Sequence, residues 1–73
     1  MASIVETPWP GVVQEINVEV GDDVAVGDEV AVIESMKMLT PVESTLAGRV
    51  VEIFAAVGDY VETGDRLFSL DDI

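Results

Sequence analysis

The sequence predicts an all-β domain, built as two small four-stranded antiparallel sheets that face each other across a pseudo-twofold axis. Three observations predict it. First, Gly11–Ile33 aligns with Gly48–Leu70 at an offset of 37, with ten identities in 23 positions. They are Gly11/Gly48, Val13/Val50, Glu15/Glu52, Ile16/Ile53, Val20/Val57, Gly21/Gly58, Asp22/Asp59, Val24/Val61, Gly27/Gly64 and Asp28/Asp65. Second, four Gly-Asp pairs punctuate the two halves at equivalent places. Glycine reaches positive φ without steric cost, and aspartate caps its own turn backbone. Third, the 49% apolar fraction is dominated by fourteen valines and five isoleucines, which suit half-buried strands.

Eight strands follow in order. Ser3–Glu6 stops short of the Pro8-Trp9-Pro10-Gly11 segment. Val12–Asn17 leads into a run in which Ile16, Val18 and Val20 alternate with Asn17 and Glu19, the period-2 mark of a strand with one buried face. Asp23–Val24 lies between the first two Gly-Asp pairs. Glu29–Ser35 is the apolar stretch after the second pair, and Met38–Glu43 returns from it. Arg49–Phe54, Tyr60–Val61 and Arg66–Leu70 repeat the second, third and fourth strands. No segment shows capped i, i+3, i+4 apolar spacing, so no helix is expected. Each half has too little apolar area to fold alone, so the halves are expected to interleave. Residues 1–73 read as one domain.

Composition excludes much chemistry. Without cysteine or histidine, Ser-His-Asp and Cys-His catalytic arrangements and Cys/His zinc sites cannot be built. A chain this short usually needs disulfides, a metal or very regular packing, and only the last remains. Met1–Glu6 has no basic n-region and no apolar run approaches a membrane span, so the chain reads as soluble and cytoplasmic. The formal charge of −12 repels nucleic acid and anionic lipid, and it favours proteins with basic grooves. Asp22-Asp23 and Asp28-Glu29 lack calcium-loop spacing and read as turn residues. Trp9, Phe54 and Phe68 read as core or edge packing.

Lys37 is the only lysine, and it stands between Met36 and Met38 where the halves join. Strands Glu29–Ser35 and Met38–Glu43 leave Met36 and Lys37 as a two-residue connection. Such hairpins favour Asn-Gly or Asp-Gly, because a type I′ turn holds both central residues at positive φ. Met-Lys contradicts that preference, and a turn that departs from local propensity marks a place where function overrides stability. A lysine on a hairpin tip offers its amine to a modifying enzyme. The flanking methionines, flexible and apolar, suit a partner's hydrophobic pocket.

Ile33-Glu34-Ser35-Met36-Lys37-Met38 resembles the attachment motif of biotinyl domains, the biotin carboxyl carrier proteins. The resemblance extends through Thr7–Gly11, Val20–Val24 with Gly27-Asp28, Thr40–Val42 and Ala47–Val50. It implies a flattened β-barrel of the barrel-sandwich hybrid type, with Lys37 on a tight turn. It further implies that a biotin protein ligase joins biotin to Lys37, with Met36, Met38 and Glu34 in recognition. The carried biotin then shuttles a carboxyl group from a biotin carboxylase to a carboxyltransferase of an acyl-CoA carboxylase-type complex. The domain itself catalyses nothing. Gly11–Val20 is too short for the protruding insert that some acetyl-CoA carboxylase carriers possess.

Two other readings compete. A lipoyl carrier domain of a 2-oxoacid dehydrogenase-type system shares the fold, but usually has Asp-Lys-Ala at the turn. An unmodified barrel-sandwich interaction module has no reason to keep one lysine at the tip. An enzyme is excluded more strongly, because no nucleophile here has a base beside it.

Overall fold

The computed structural model describes residues 2–71. All eight elements are strands: β1 Ala2–Glu6, β2 Gly11–Ile16, β3 Asp23–Val24, β4 Glu29–Ser35, β5 Met38–Glu43, β6 Gly48–Ile53, β7 Tyr60–Val61 and β8 Arg66–Asp71. They form two antiparallel sheets, ordered β1-β8-β6-β3 and β5-β4-β2-β7. The 37-residue offset maps β1 to β5, β2 to β6, β3 to β7 and β4 to β8. Applied to the first sheet, it generates the second, strand for strand. Each sheet draws two strands from each half, so neither half can close a layer without the other. The molecule is elongated, 37 × 19 × 18 Å along its principal axes.

Four expected strands keep their bounds, β1 and β8 gain one residue at one end, and β2 and β6 each slide by one residue toward the N-terminus. The informative shift is at β2 and β6, which begin at Gly11 and Gly48 and end at Ile16 and Ile53. A Cβ on Gly11 would lie 2.4 Å from the Glu34 carbonyl oxygen, and one on Gly48 2.6 Å from that of Asp71. These glycines are close-approach points inside the ladder and not turn punctuation. Asn17 and Phe54 fall just outside, after matching irregularities between Val13 and Glu15 and between Val50 and Glu52.

The four Gly-Asp pairs close four copies of one turn: 19–22, 25–28, 56–59 and 62–65. In each, the aspartate N–H donates to the carbonyl three residues back at 2.9–3.1 Å. Its Oδ2 accepts the N–H of that same residue at 2.9–3.0 Å. Glycine occupies the third position at φ 91–99°, as a type II turn requires. The turn overtakes the expected alternation: Val20 and Val57 sit at its second position and are each 64% exposed, so the buried face ends at Val18 and Ala55. A Cβ at Gly58 meets nothing within 4 Å, so Gly58→Ala pays only for left-handed backbone. It is expected to lose about 1 kcal/mol in urea unfolding; unchanged stability would mean the turn is not held at this φ.

The core between the sheets contains Val13, Val30, Ala31, Ile33, Val42, Val50, Leu67, Phe68 and Leu70, all within 1% of complete burial. Thr7 and Ser44, again 37 apart, are buried hydroxyls that each donate to the carbonyl two residues on, at Trp9 and Leu46. Trp9 packs partly buried against the core, whereas Phe54 is 40% exposed with the Arg66 guanidinium 5.8 Å from its ring centre.

Candidate functional site

The site is built on the β4–β5 hairpin. Residues 30–33 of β4 are buried and anchor the hairpin in the core, while Glu34 and Ser35 run out past it. The ladder pairs Glu34 with Leu39 and Ser35 with Met38, leaving Met36 and Lys37 as the whole connection. Their φ values are 52° and 64°, the only positive φ among non-glycine residues described. A two-residue hairpin with both central residues left-handed is a type I′ turn, as the sequence demands of this length.

The geometry has a cost. For a residue with a Cβ, the left-handed conformation is unfavourable by roughly 1–2 kcal/mol. Neither Met nor Lys forms the local side-chain bond that eases it for Asn or Asp. Strain of this kind persists only where the surroundings over-determine it, and here the paired strands on both sides do so.

Lys37 is exposed, and among the described residues it makes no hydrogen bond or ion pair. The other two cations are engaged: Arg49 Nε donates to Asp23 Oδ1 at 3.1 Å, and Arg66 covers Phe54. Met36 is 92% exposed and Met38 69%, so neither fills the barrel edge. Glu34 is half-buried, and its Oε1 accepts the Gln14 Nε2–H at 3.1 Å. All four residues singled out from the sequence thus meet at one end of the barrel. The calcium-like acid pairs do not: Asp22 and Asp28 are committed to their turns.

Three neighbours of the turn were not legible as such. Val12 pairs with Glu34 on one side and with Tyr60 on the other. Together with Pro10, Gly11 and residues 34–37, they line an open hollow of about 300 Å³ beside Lys37. Gln14 reaches it through Glu34. The one sequence signal for Tyr60 is a break in the repeat, since the first half has Asp23 in its place.

The family described as Biotin-requiring enzyme (biotin/lipoyl) matches residues 3–70. The chain belongs to the biotin/lipoyl attachment domain family. It is 41% identical over 70 residues to the mitochondrial propionyl-CoA carboxylase alpha chain of Sus scrofa, covering 96% of this chain and 10% of that one. It is 34% identical over 65 residues to the biotin carboxyl carrier protein of acetyl-CoA carboxylase of Pyropia yezoensis, covering 89% of this chain and 40% of the relative. Among solved structures, a single-chain, multi-domain long-chain acyl-CoA carboxylase superposes with a TM-score of 0.89 at 28% identity, over 99% of this chain and 7% of that one. The barrel-sandwich architecture expected from the sequence is therefore the architecture of a biotinyl domain. This chain spans less than half the length of each of these relatives.

Proposed function

We propose that this domain is the biotin carboxyl carrier of a biotin-dependent carboxylase acting on an acyl-CoA, with biotin held as an amide on Lys37 Nζ. The observation that carries the reading is the left-handed Met36-Lys37 turn, which holds one unpaired, exposed amine in a family of biotin-bearing proteins. A biotin protein ligase supplies the activated carboxyl group. The lysine amine attacks it, loses a proton and expels the activating group. Once attached, biotin accepts a carboxyl group at a biotin carboxylase and releases it at a carboxyltransferase. No residue of the domain takes part in either reaction, so it acts as a subunit or module without catalysis of its own.

What the chain contributes is presentation. The turn sets where the lysine stem leaves the backbone, at an exposed tip bounded on both sides by paired strands. Met36 and Met38 give the ligase two apolar contacts astride the amine, and Glu34 gives it one carboxylate held in place by Gln14. Tethering raises the cofactor's effective concentration at two separate active sites, into the millimolar range for a short linker.

Lys37→Arg is expected to keep the fold and abolish labelling by a biotin ligase, read by streptavidin blot and intact mass. In the same assay Met36→Ser and Met38→Ser are expected to fold normally and label more slowly. Labelling of the arginine variant would overturn the site, and wild-type rates for both serine variants would remove the methionines from recognition. A mass increment of lipoate in place of biotin would reassign the cofactor.

A further inference from the structure

The outer face of the β5-β4-β2-β7 sheet carries a row of four residues in direct register: Leu39, Glu34, Val12 and Tyr60. Residues directly opposite one another across antiparallel strands share a face. One residue pair, Ser35 with Met38, separates this row from the turn that bears Lys37. The pseudo-twofold copy of the row lies in the other sheet, at the end remote from the turn, and reads Ala2, Asp71, Arg49 and Asp23.

The two rows occupy the same scaffold positions with different chemistry. In the remote row the β6–β3 pair is ionic, Arg49 to Asp23. At the lysine end the corresponding pair is Val12 and Tyr60, and Tyr60 is 65% exposed. An exposed ion pair is satisfied by itself and by water. An exposed aromatic ring beside a valine leaves apolar area in water at the one end of the molecule where a prosthetic group is attached. That area borders the hollow of about 300 Å³ that Lys37 itself helps to line.

We propose that this hollow is the resting seat of the head group carried by Lys37; the inference rests on the biotin-carrier reading. The chemistry of the head matches the row. Its sulfur-containing ring is apolar and faces Val12 and Tyr60. Its urea edge has N–H donors for the Glu34 carboxylate and a carbonyl that accepts the Tyr60 hydroxyl. Glu34 already accepts one bond from Gln14, which steadies it, and a carboxylate retains further acceptor sites. Tyr60 lies two strand spacings, roughly 10 Å, from Glu34, within reach of a lysine stem extended by the acyl chain. Tethering gives the head an effective concentration in the millimolar range. Contacts too weak to bind free biotin therefore suffice to seat it, and the open hollow lets a partner's active site withdraw it.

The test compares isotope-labelled apo protein with protein loaded by a biotin ligase, both checked by intact mass, using NMR. In the loaded protein, amide shift changes are expected to extend from residues 35–38 to Val12 and Tyr60, with cross-relaxation between the Tyr60 ring and the head-group protons. In Tyr60→Ala, loaded and checked in the same way, the changes are expected to retreat to the turn. A loaded wild type whose changes stop at the turn, with no contact to Tyr60, overturns this inference alone. A chain that the ligase leaves at its unmodified mass overturns the carrier reading and this inference together.

Discussion

The double variant Met36→Asn, Lys37→Gly is expected to melt at a higher temperature than the native domain and to be dead as a ligase substrate. Both native residues are left-handed, at φ 52° and 64°, and each conformation is unfavourable by roughly 1–2 kcal/mol for a residue with an ordinary side chain. Asn tolerates that region through a local hydrogen bond, and Gly enters it freely. Glycine's greater freedom in the unfolded chain takes back about 0.5–1 kcal/mol. The net gain is about 1–3 kcal/mol, and each kcal/mol is worth roughly 4–8 °C in a domain of this size. Circular dichroism melts and an intact-mass labelling assay read the two effects separately. Met36→Asn alone keeps the amine, so it divides the stability gain from the loss of the acceptor. An unchanged or lower midpoint would show that the turn is not strained, and the best sequence argument for the site would fail with it.

The fold was legible because the repeat fixes which strands are equivalent, and valine alternation fixes which faces meet. Two residue types misled at the edges. Gly11 and Gly48 fall outside strands expected to begin at Val12 and Arg49, yet they lie in the ladder and serve backbone approach, which depends on a neighbour's carbonyl and not on local sequence. Val20 and Val57 continue the apolar alternation but stand in solvent, because a type II turn closed by an aspartate two positions later outweighs burial of one valine. The turn at Lys37 was legible from loop length and residue choice, both local properties. Its setting was not. Tyr60 is 23 positions away on a two-residue strand, and only the register through Val12 brings it into one row with Glu34.

Phe68→Ala is expected to leave the domain largely unfolded near physiological temperature. Phe68 is fully buried and is the largest such side chain, while its repeat equivalent across the axis is Ala31, also fully buried. A single ring thus supplies, for one pair of equivalent positions, the bulk of the core. Truncation of a buried phenylalanine costs about 3–5 kcal/mol. The whole domain is worth roughly 4–11 kcal/mol at typical values per residue, and it has no cysteine to cross-link. Trp9, the only tryptophan, packs against this core and reports its loss by fluorescence. Phe54→Ala is the control: that ring is 40% exposed beneath Arg66, and about 1 kcal/mol or less is expected there. The left-handed turn is held by strands whose inner residues are the core itself, so labelling of Lys37 is expected to fall with the folded fraction of Phe68→Ala. A fully unfolded variant that the ligase still labels at the native rate would mean that the enzyme reads the Met-Lys-Met segment alone, and that the barrel is not needed to present it.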